Sequence, residues 1–274
     1  MQTTIAPFVF DVLGIGFWAQ GLETWRAARA VLRGDAEAKS VANAIARPAP
    51  NILPPTERRR ASASVAVALE VALEAVTMAR VDPIALPSVF ASAYGDLAIV
   101  DYLCTTLAED PTALSPIKFH NSVHNAAAGY WTIATGCTAP ATALSAGHES
   151  FAAGLLEAAT QAVADQTPVL LIAYDTPAAG ALAEVAPNTH LFGVALILSP
   201  FRSDNALARL TLAPQARCVP MPMLRGCALA ALARSSPSAL ALPLLEALAQ
   251  DCGSILAYPL GPNCALDIRV EILR

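Results

Sequence analysis

The chain has 274 residues, a formal net charge of −5, and 55% hydrophobic residues against 14% charged ones. This length allows one large domain or two small ones, and the acidic balance without a basic face argues against nucleic-acid binding. No eighteen consecutive apolar residues occur, so we expect no membrane-spanning helix. The N-terminus lacks the basic and apolar regions of a secretory signal, which predicts a cytoplasmic protein.

Apolar periodicity and turn signals predict strands and helices in alternation along the chain. The strands are predicted at residues 8–17, 88–93, 137–143, 169–174, 191–198, 208–213 and 266–273. The helices are predicted at residues 22–33, 57–79, 97–109, 125–135 and 145–163, with one or two more within 220–248. Residues 34–56 are expected to form an irregular connection. This order indicates an α/β protein built as a layered α/β/α unit.

Two short motifs each allow a structural and a functional interpretation. Gly14-Ile15-Gly16 at the end of the first strand is a weak nucleotide-binding signal, because Ala19 stands where that fingerprint needs its third glycine. The basic cluster Arg58-Arg59-Arg60 is either a solvated helix start with local ion pairs or a docking site for an acidic carrier protein. Cations at a helix N-terminus oppose the helix dipole, so we expect a compensating partner there.

The cysteines and histidines do not predict a metal or cofactor site. The six cysteines include no Cys-x-x-Cys pair, and their spacing fits neither a zinc site nor a disulfide framework, so we expect reduced, mostly buried thiols. His120 and His124 have no third ligand at a suitable spacing, and His124 is expected to satisfy backbone groups at the start of a helix. We therefore expect neither a metal nor a cofactor.

Four segments in order carry a resemblance to a known family. Thr142-Ala143-Leu144-Ser145-Ala146-Gly147 resembles the Thr-Ala-Cys-Ser-Ser-Gly element of β-ketoacyl synthases, and residues 122–131 resemble the helix before it. Residues 12–18 resemble the family's opening strand, and Leu53-Pro54-Pro55 with the three arginines resembles its approach to the first long helix. Over roughly residues 8–200, the chain is most similar to short ketosynthase-like proteins that act as chain-length-factor subunits, notably those of aryl polyene pathways.

The resemblance implies a thiolase-like fold whose N-terminal half is complete and whose C-terminal half is reduced. Residues 1–215 would form the ketosynthase-like half, and residues 216–274 would be a remnant packed on the same domain. Pro140 within the strand predicted at 137–143 favours an edge or interface strand over a central one. We expect this edge to pair with a partner across a pseudo-twofold axis.

The resemblance also implies a subunit without its own nucleophile. In the family a cysteine at a helix N-terminus attacks the acyl thioester, because that position favours the thiolate; here Leu144 takes its place. The two catalytic histidines come from the half of the fold that is reduced. Ser145 is expected to cap the following helix, with His148 in its first turn.

The expected function is therefore that of a chain-length-factor-like subunit. It would form a heterodimer with a separate, active ketosynthase and shape the acyl tunnel, while an acyl carrier protein would contact it only indirectly. An aryl-primed polyene is the product class that the resemblance implies. The expected tunnel or interface residues are Tyr130, Trp131, Pro140, Thr142, Ala143 and Leu144.

Two alternatives stay open at the level of sequence. The first is a free-standing acyltransferase or thioesterase that uses Cys137 or Ser145 with a nearby histidine. An alkylating probe or an acyl-carrier substrate would then label Cys137. The second is an acyl-chain-binding module that acts as a monomer with bound lipid.

Overall fold

The computed structural model describes residues 6–37, 47–186, 188–225 and 229–273. The strands are β1 (Phe8–Ala19), β2 (Ser88–Ala91), β3 (Ala141–Leu144), β4 (Val169–Asp175), β5 (Phe192–Ser199), β6 (Ala208–Gln215), β7 (Ser254–Gly261) and β8 (Cys264–Ile272). The helices are α1 (Trp25–Arg33), α2 (Pro55–Arg60), α3 (Ala63–Ala79), α4 (Leu97–Glu109), α5 (Pro116–His120), α6 (Ala126–Thr135), α7 (Ser150–Asp165), α8 (Ala230–Ala233) and α9 (Leu242–Ala249). No helix in these ranges is both long and apolar enough to cross a membrane.

The described strands form one mixed sheet in the order β3-β2-β4-β5-β1-β6-β8-β7. β2 runs parallel to β3 and β4, and the other neighbouring pairs are antiparallel. The strand β4 is buried along its whole length, and its residues alternate between two core clusters. One cluster includes α1, α7 and α9, and the other includes α3 and α6. Helices thus cover both faces of the sheet, and the predicted α/β/α layering is confirmed.

The long helix predicted at residues 57–79 is two helices. The chain leaves helical geometry at Ala61, and Ser62 caps α3 by accepting a hydrogen bond from the Val65 N–H at 3.3 Å. The three arginines therefore lie in the last turn of α2, where cations are favourable for the helix dipole. The expectation that they stand at a helix N-terminus is wrong, and the dipole does not require a compensating partner.

Other elements also differ from the prediction. Strand β7 was not predicted, and the helix predicted from residue 145 begins at Ser150, after a 3₁₀ turn at Gly147–Glu149. The strand predicted from residue 137 begins at Ala141. The connection predicted at 34–56 falls partly on residues 38–46, which lie outside the described residues.

The glycines of the Gly14-Ile15-Gly16 motif let helix α3 lie directly on β1. A Cβ atom at Gly14 would overlap the carbonyl oxygen of Ala75, and one at Gly16 would overlap that of Val71. The strand thus contacts the backbone of the helix and not only its side chains. The motif serves close helix–strand packing, a role that its spacing alone does not reveal.

Two carboxylates of α3 face the start of α1. Glu74 joins β1 to α1, since its two oxygens accept the N–H groups of Phe17 and Trp25, each at 2.8 Å. Glu70 lies one turn earlier, and its buried Oε2 has no hydrogen-bond partner in the described structure. Burial raises the pKa of Glu70 and of Glu74.

We expect the variant Glu70→Gln to weaken the pH dependence of stability. A carboxyl whose pKa is raised by folding stabilises the protein fully below its ordinary value of 4.5, and this contribution is lost as pH rises through the folded pKa. Without this carboxyl, the free energy of unfolding should fall less steeply with pH, by up to about 1.4 kcal/mol per pH unit. Urea denaturation between pH 4.5 and 8 measures this slope, with a glutamine substitution at the exposed Glu109 as control. Equal pH slopes in the wild type and Glu70→Gln would contradict this assignment.

Candidate functional site

The turn between β3 and α7 does not hold Leu144 at a helix N-terminus. Leu144 is the last residue of β3, opposite Ala91 of β2, and its carbonyl accepts the Ser92 N–H at 3.2 Å. Its side chain is half-buried against the core cluster that includes α7. Five residues separate Leu144 from Ser150, the first residue of α7, and the assignment of Leu144 to the family's nucleophile position stays a prediction. That terminus is formed by His148, Glu149 and Ser150, none of which is a cysteine.

The hydroxyl that closes this turn belongs to Ser150 and not to Ser145. The Ser150 hydroxyl accepts the Ala146 N–H at 3.0 Å and donates to the Gly147 carbonyl at 2.7 Å. The Ser145 hydroxyl donates to the Ala93 carbonyl at 2.8 Å. The predicted cap is wrong, because the 3₁₀ turn moves the start of the helix beyond the reach of Ser145.

Neither alternative nucleophile has the geometry that attack on a thioester needs. Ser145 makes no hydrogen bond to a histidine anywhere in the described structure, so its hydroxyl has no general base. Cys137 is buried, and its thiol donates weakly to the Leu86 carbonyl at 3.5 Å. It precedes β3 and does not stand at a helix N-terminus. These contacts weigh against both candidates for a free-standing enzyme.

A buried carboxylate joins three segments near this turn. Asp175, at the end of β4, accepts the Ser92 hydroxyl at 3.2 Å, the Ala93 N–H at 3.0 Å and the Ser238 N–H at 2.7 Å. Burial raises the pKa of Asp175, and these donors oppose that shift. The network fixes the loop after β2, to which Ser145 also binds. Sequence patterns do not single out Asp175, because its donors lie 63 or more residues away.

His124 serves the same loop, as the sequence predicts. Its Nε2 lies 2.9 Å from the Ser92 carbonyl oxygen, so that nitrogen carries the proton and donates. Within the described ranges, no group of three or more His, Cys, Asp or Glu residues is placed to hold a metal ion.

Strand β3 lies at one end of the sheet, and the predicted edge strand is confirmed. The carbonyls of Pro140 and Leu144 accept the N–H groups of Ser88, the first residue of β2, and of Ser92, which directly follows it. Since backbone groups alternate in direction along a strand, those of Ala141 and Ala143 point to the open edge. The Thr142 hydroxyl accepts from the side-chain amide of Gln161 at 2.9 Å, which ties the strand to α7.

A groove of about 740 Å³ lies between α2, α5 and α6. Tyr130 lines this groove, and its ring meets the edge of the His120 ring with 6.1 Å between the centroids. Burial and, to a lesser degree, the Glu57 carboxylate raise the pKa of the Tyr130 hydroxyl. Trp131, in contrast, is fully buried against the α3 side of the core and contributes no surface to the groove.

A second surface, around α4, is apolar and exposed. Helix α4 packs against α5 and against the 3₁₀ turn Gly180–Glu184. Large apolar side chains on or beside these elements remain in solvent: Leu107 is 53% exposed, Phe119 62% and Val185 74%. Exposed apolar side chains on elements that pack together favour interaction with another molecule. The sequence did not distinguish the residues of this surface from core residues, since the same residue types fill the core.

The comparisons with known proteins point to one family and one fold. The family model described as "Beta-ketoacyl synthase, N-terminal domain" matches residues 32–249. No curated protein was found to match the chain.

Three solved structures resemble the chain over nearly its whole length. The first is the ketosynthase ApeO in complex with its chain length factor ApeC from Xenorhabdus doucetiae, with 23% identity, a TM-score of 0.68, and coverage of 95% of this chain and 99% of that one. The second is the ishigamide ketosynthase/chain length factor, with 13% identity, a TM-score of 0.72, and coverage of 97% and 100%. The third is AntDE:AntF, a type II acyl-carrier protein in complex with its ketosynthase, with 11% identity, a TM-score of 0.70, and coverage of 97% and 99%. At these identities the likeness shows a shared fold.

Proposed function

The chain belongs to the β-ketoacyl synthase N-terminal domain family, and we propose that within it the protein is a non-catalytic, chain-length-factor-like subunit. It pairs with an active ketosynthase and shapes the acyl tunnel of that complex during polyketide- or fatty-acid-type elongation. An aryl polyene is the product class that we propose. Similarity to the ApeO–ApeC complex and to the ishigamide ketosynthase/chain length factor supports this choice.

The observation that carries the proposal is the open edge of β3. A twofold or pseudo-twofold axis beside an edge strand brings it antiparallel to its counterpart and joins two sheets into one. The outward backbone groups of Ala141 and Ala143 are the groups that such a pairing satisfies. The exposed apolar surface around α4 adds area, and we expect an obligate interface of more than about 2,000 Å².

The roles that we propose for the two subunits follow from helix α7. Its N-terminus presents no cysteine, so the partner supplies the nucleophile, the decarboxylation of the extender unit and the new carbon–carbon bond. This subunit then acts by shape. Each methylene of an acyl chain gains only about 0.8 kcal/mol on burial, so a steric wall limits chain length better than a graded affinity does.

The tunnel and interface residues remain proposals on this basis. Pro140, Thr142, Ala143 and Leu144 belong to the edge strand or its approach, and Tyr130 lines the groove beside it. Trp131 packs in the core and holds α6 against the cluster that includes α3.

The test is co-expression with the ketosynthase encoded nearest in the genome, followed by affinity capture and mass determination by light scattering. We expect a one-to-one heterodimer that elongates an acyl chain, whereas neither subunit does so alone. The ketosynthase expressed alone is the control. A chain that stays monomeric beside the ketosynthase would overturn the proposal and return attention to Cys137, which a thiol probe then tests.

A further inference from the structure

Asp175 joins two parts of the chain that lie far apart in sequence. Its side chain is fully buried. Oδ1 accepts the Ser92 hydroxyl and the Ala93 N–H, and Oδ2 accepts the Ser238 N–H. Ser92 and Ala93 begin the β2–α4 loop, residues 92–96, whereas Ser238 begins the 3₁₀ turn that precedes α9. The carboxylate thus links this loop to the C-terminal part of the chain.

A carboxylate at position 175 satisfies donors on both sides, and an amide of the same size does not. Both oxygens of a carboxylate accept hydrogen bonds, whereas asparagine accepts through one oxygen and donates through its NH₂ group. In place of Asp175, that NH₂ group would face either the Ser238 N–H or the two donors of the loop. Two donors would then meet in a buried site, which removes a hydrogen bond and leaves polar groups unpaired.

The β2–α4 loop places the end of β3 and the start of α4. The Ser92 N–H donates to the carbonyl of Leu144, the last residue of β3, at 3.2 Å. The Ala93 carbonyl accepts the hydroxyl of Ser145, directly after that strand, at 2.8 Å. Asp96 ends the loop and caps α4 with its side chain. A displacement of this loop therefore carries the end of the edge strand and the first turn of α4 with it.

Strand β3 and helix α4 are the two elements that we assign to the ketosynthase interface. Strand β3 offers its open edge, and α4 carries Leu107, which is 53% exposed. A complementary interface needs both elements in one fixed arrangement, and close-packed proteins transmit a buried shift to the surface. A contact that holds the loop from inside therefore decides how well this surface fits its partner.

We propose that Asp175 is a positioning residue of this subunit, which sets the placement of β3 and α4 by joining the β2–α4 loop to the turn at Ser238. This role rests on the proposed function. The C-terminal residues, which the sequence led us to expect as a reduced remnant, then act through Ser238 on the surface that binds the ketosynthase. They help to build the interface although they lie outside it.

The experiment compares Asp175→Asn with Asp11→Asn in the heterodimer with the ketosynthase. Asp11 is also buried, and its carboxylate binds the Ser203 N–H and the Arg209 guanidinium, away from the β2–α4 loop. Asp175→Asn should speed dissociation of the heterodimer about tenfold or more and shift the length distribution of the acyl products, measured by mass spectrometry. Asp11→Asn should lower the unfolding temperature and leave dissociation and product lengths unchanged.

A second variant and a second measurement keep the test decisive if Asp175→Asn does not fold. Ser92→Ala removes one donor to the carboxylate and keeps the backbone, so it should shift dissociation and product lengths in the same direction by a smaller factor. Hydrogen exchange reports the link directly. In Asp175→Asn, the amide of Ala93 or of Ser238 should exchange faster, because asparagine can accept from only one side.

The outcomes separate this role from the proposed function. A stable Asp175→Asn heterodimer with unchanged dissociation and product lengths overturns the positioning role and leaves the subunit role standing. Equal changes in the Asp175→Asn and Asp11→Asn heterodimers also overturn it, because a general loss of stability then accounts for both. If the wild-type chain forms no heterodimer, the proposed function fails, and the positioning role fails with it.

Discussion

Replacing Gly16 with alanine is expected to destabilise the protein by about 3 kcal/mol or more, toward the upper end of what overpacking costs. The added methyl group would overlap the backbone carbonyl of Val71. A clash with a helix backbone cannot be relieved by rotating a side chain, so β1 and α3 must separate. Both elements contribute to the core through many buried residues, and the loss should appear in the midpoint of urea denaturation.

The matched control for this substitution is Gly129→Ala. Gly129 lies in α6, and a Cβ atom there would meet nothing within 4 Å. Alanine is favoured over glycine inside a helix by up to about 1 kcal/mol, so this variant should be slightly stabilised. If Gly16→Ala unfolded at the same denaturant concentration as Gly129→Ala, the close approach of α3 to β1 would be wrong.

The same pair of elements shows what sequence could and could not predict. Strand β1 and helix α3 were each predicted within a few residues, because apolar periodicity is a local property. The contact between Gly16 and Val71 joins positions 55 residues apart, and no local pattern encodes it. The break at Ala61 was missed because the charged residues of α2 carry no apolar pattern that could be seen to stop there. The serine cap at Ser62 decides the boundary, and its signal is a single residue.

The start of α7 was missed for a related reason. Apolar periodicity predicts a helix from residue 145, whereas a 3₁₀ turn at Gly147–Glu149 precedes Ser150, the first residue of α7. The Ser150 hydroxyl bonds back to the Ala146 N–H and the Gly147 carbonyl, and these contacts leave no trace in the apolar pattern. The assignment of Leu144 to the family's nucleophile position stays a prediction, and residues 144–150 contain no cysteine.

The second large effect is expected for Ala143→Pro, which should abolish co-purification with the ketosynthase. The Ala143 N–H group points to the open edge of β3, because backbone groups alternate in direction along a strand and the carbonyls of Pro140 and Leu144, each an odd number of residues away, bond to Ser88 and Ser92. Proline removes that donor and places a ring where a partner strand would lie, while an edge strand tolerates proline within its own sheet. Affinity capture of the tagged chain, followed by mass determination, measures the loss.

Ala143→Ser is the matched variant, because it keeps the N–H group and adds one small polar atom. It should co-purify as the wild type does, and circular dichroism of both variants should show the same secondary structure. Loss of the partner in the proline variant alone assigns the interaction to the backbone edge and not to the side chain. Retention of a one-to-one complex by Ala143→Pro would exclude strand pairing at β3, and the apolar surface around α4 would then have to form the interface by itself.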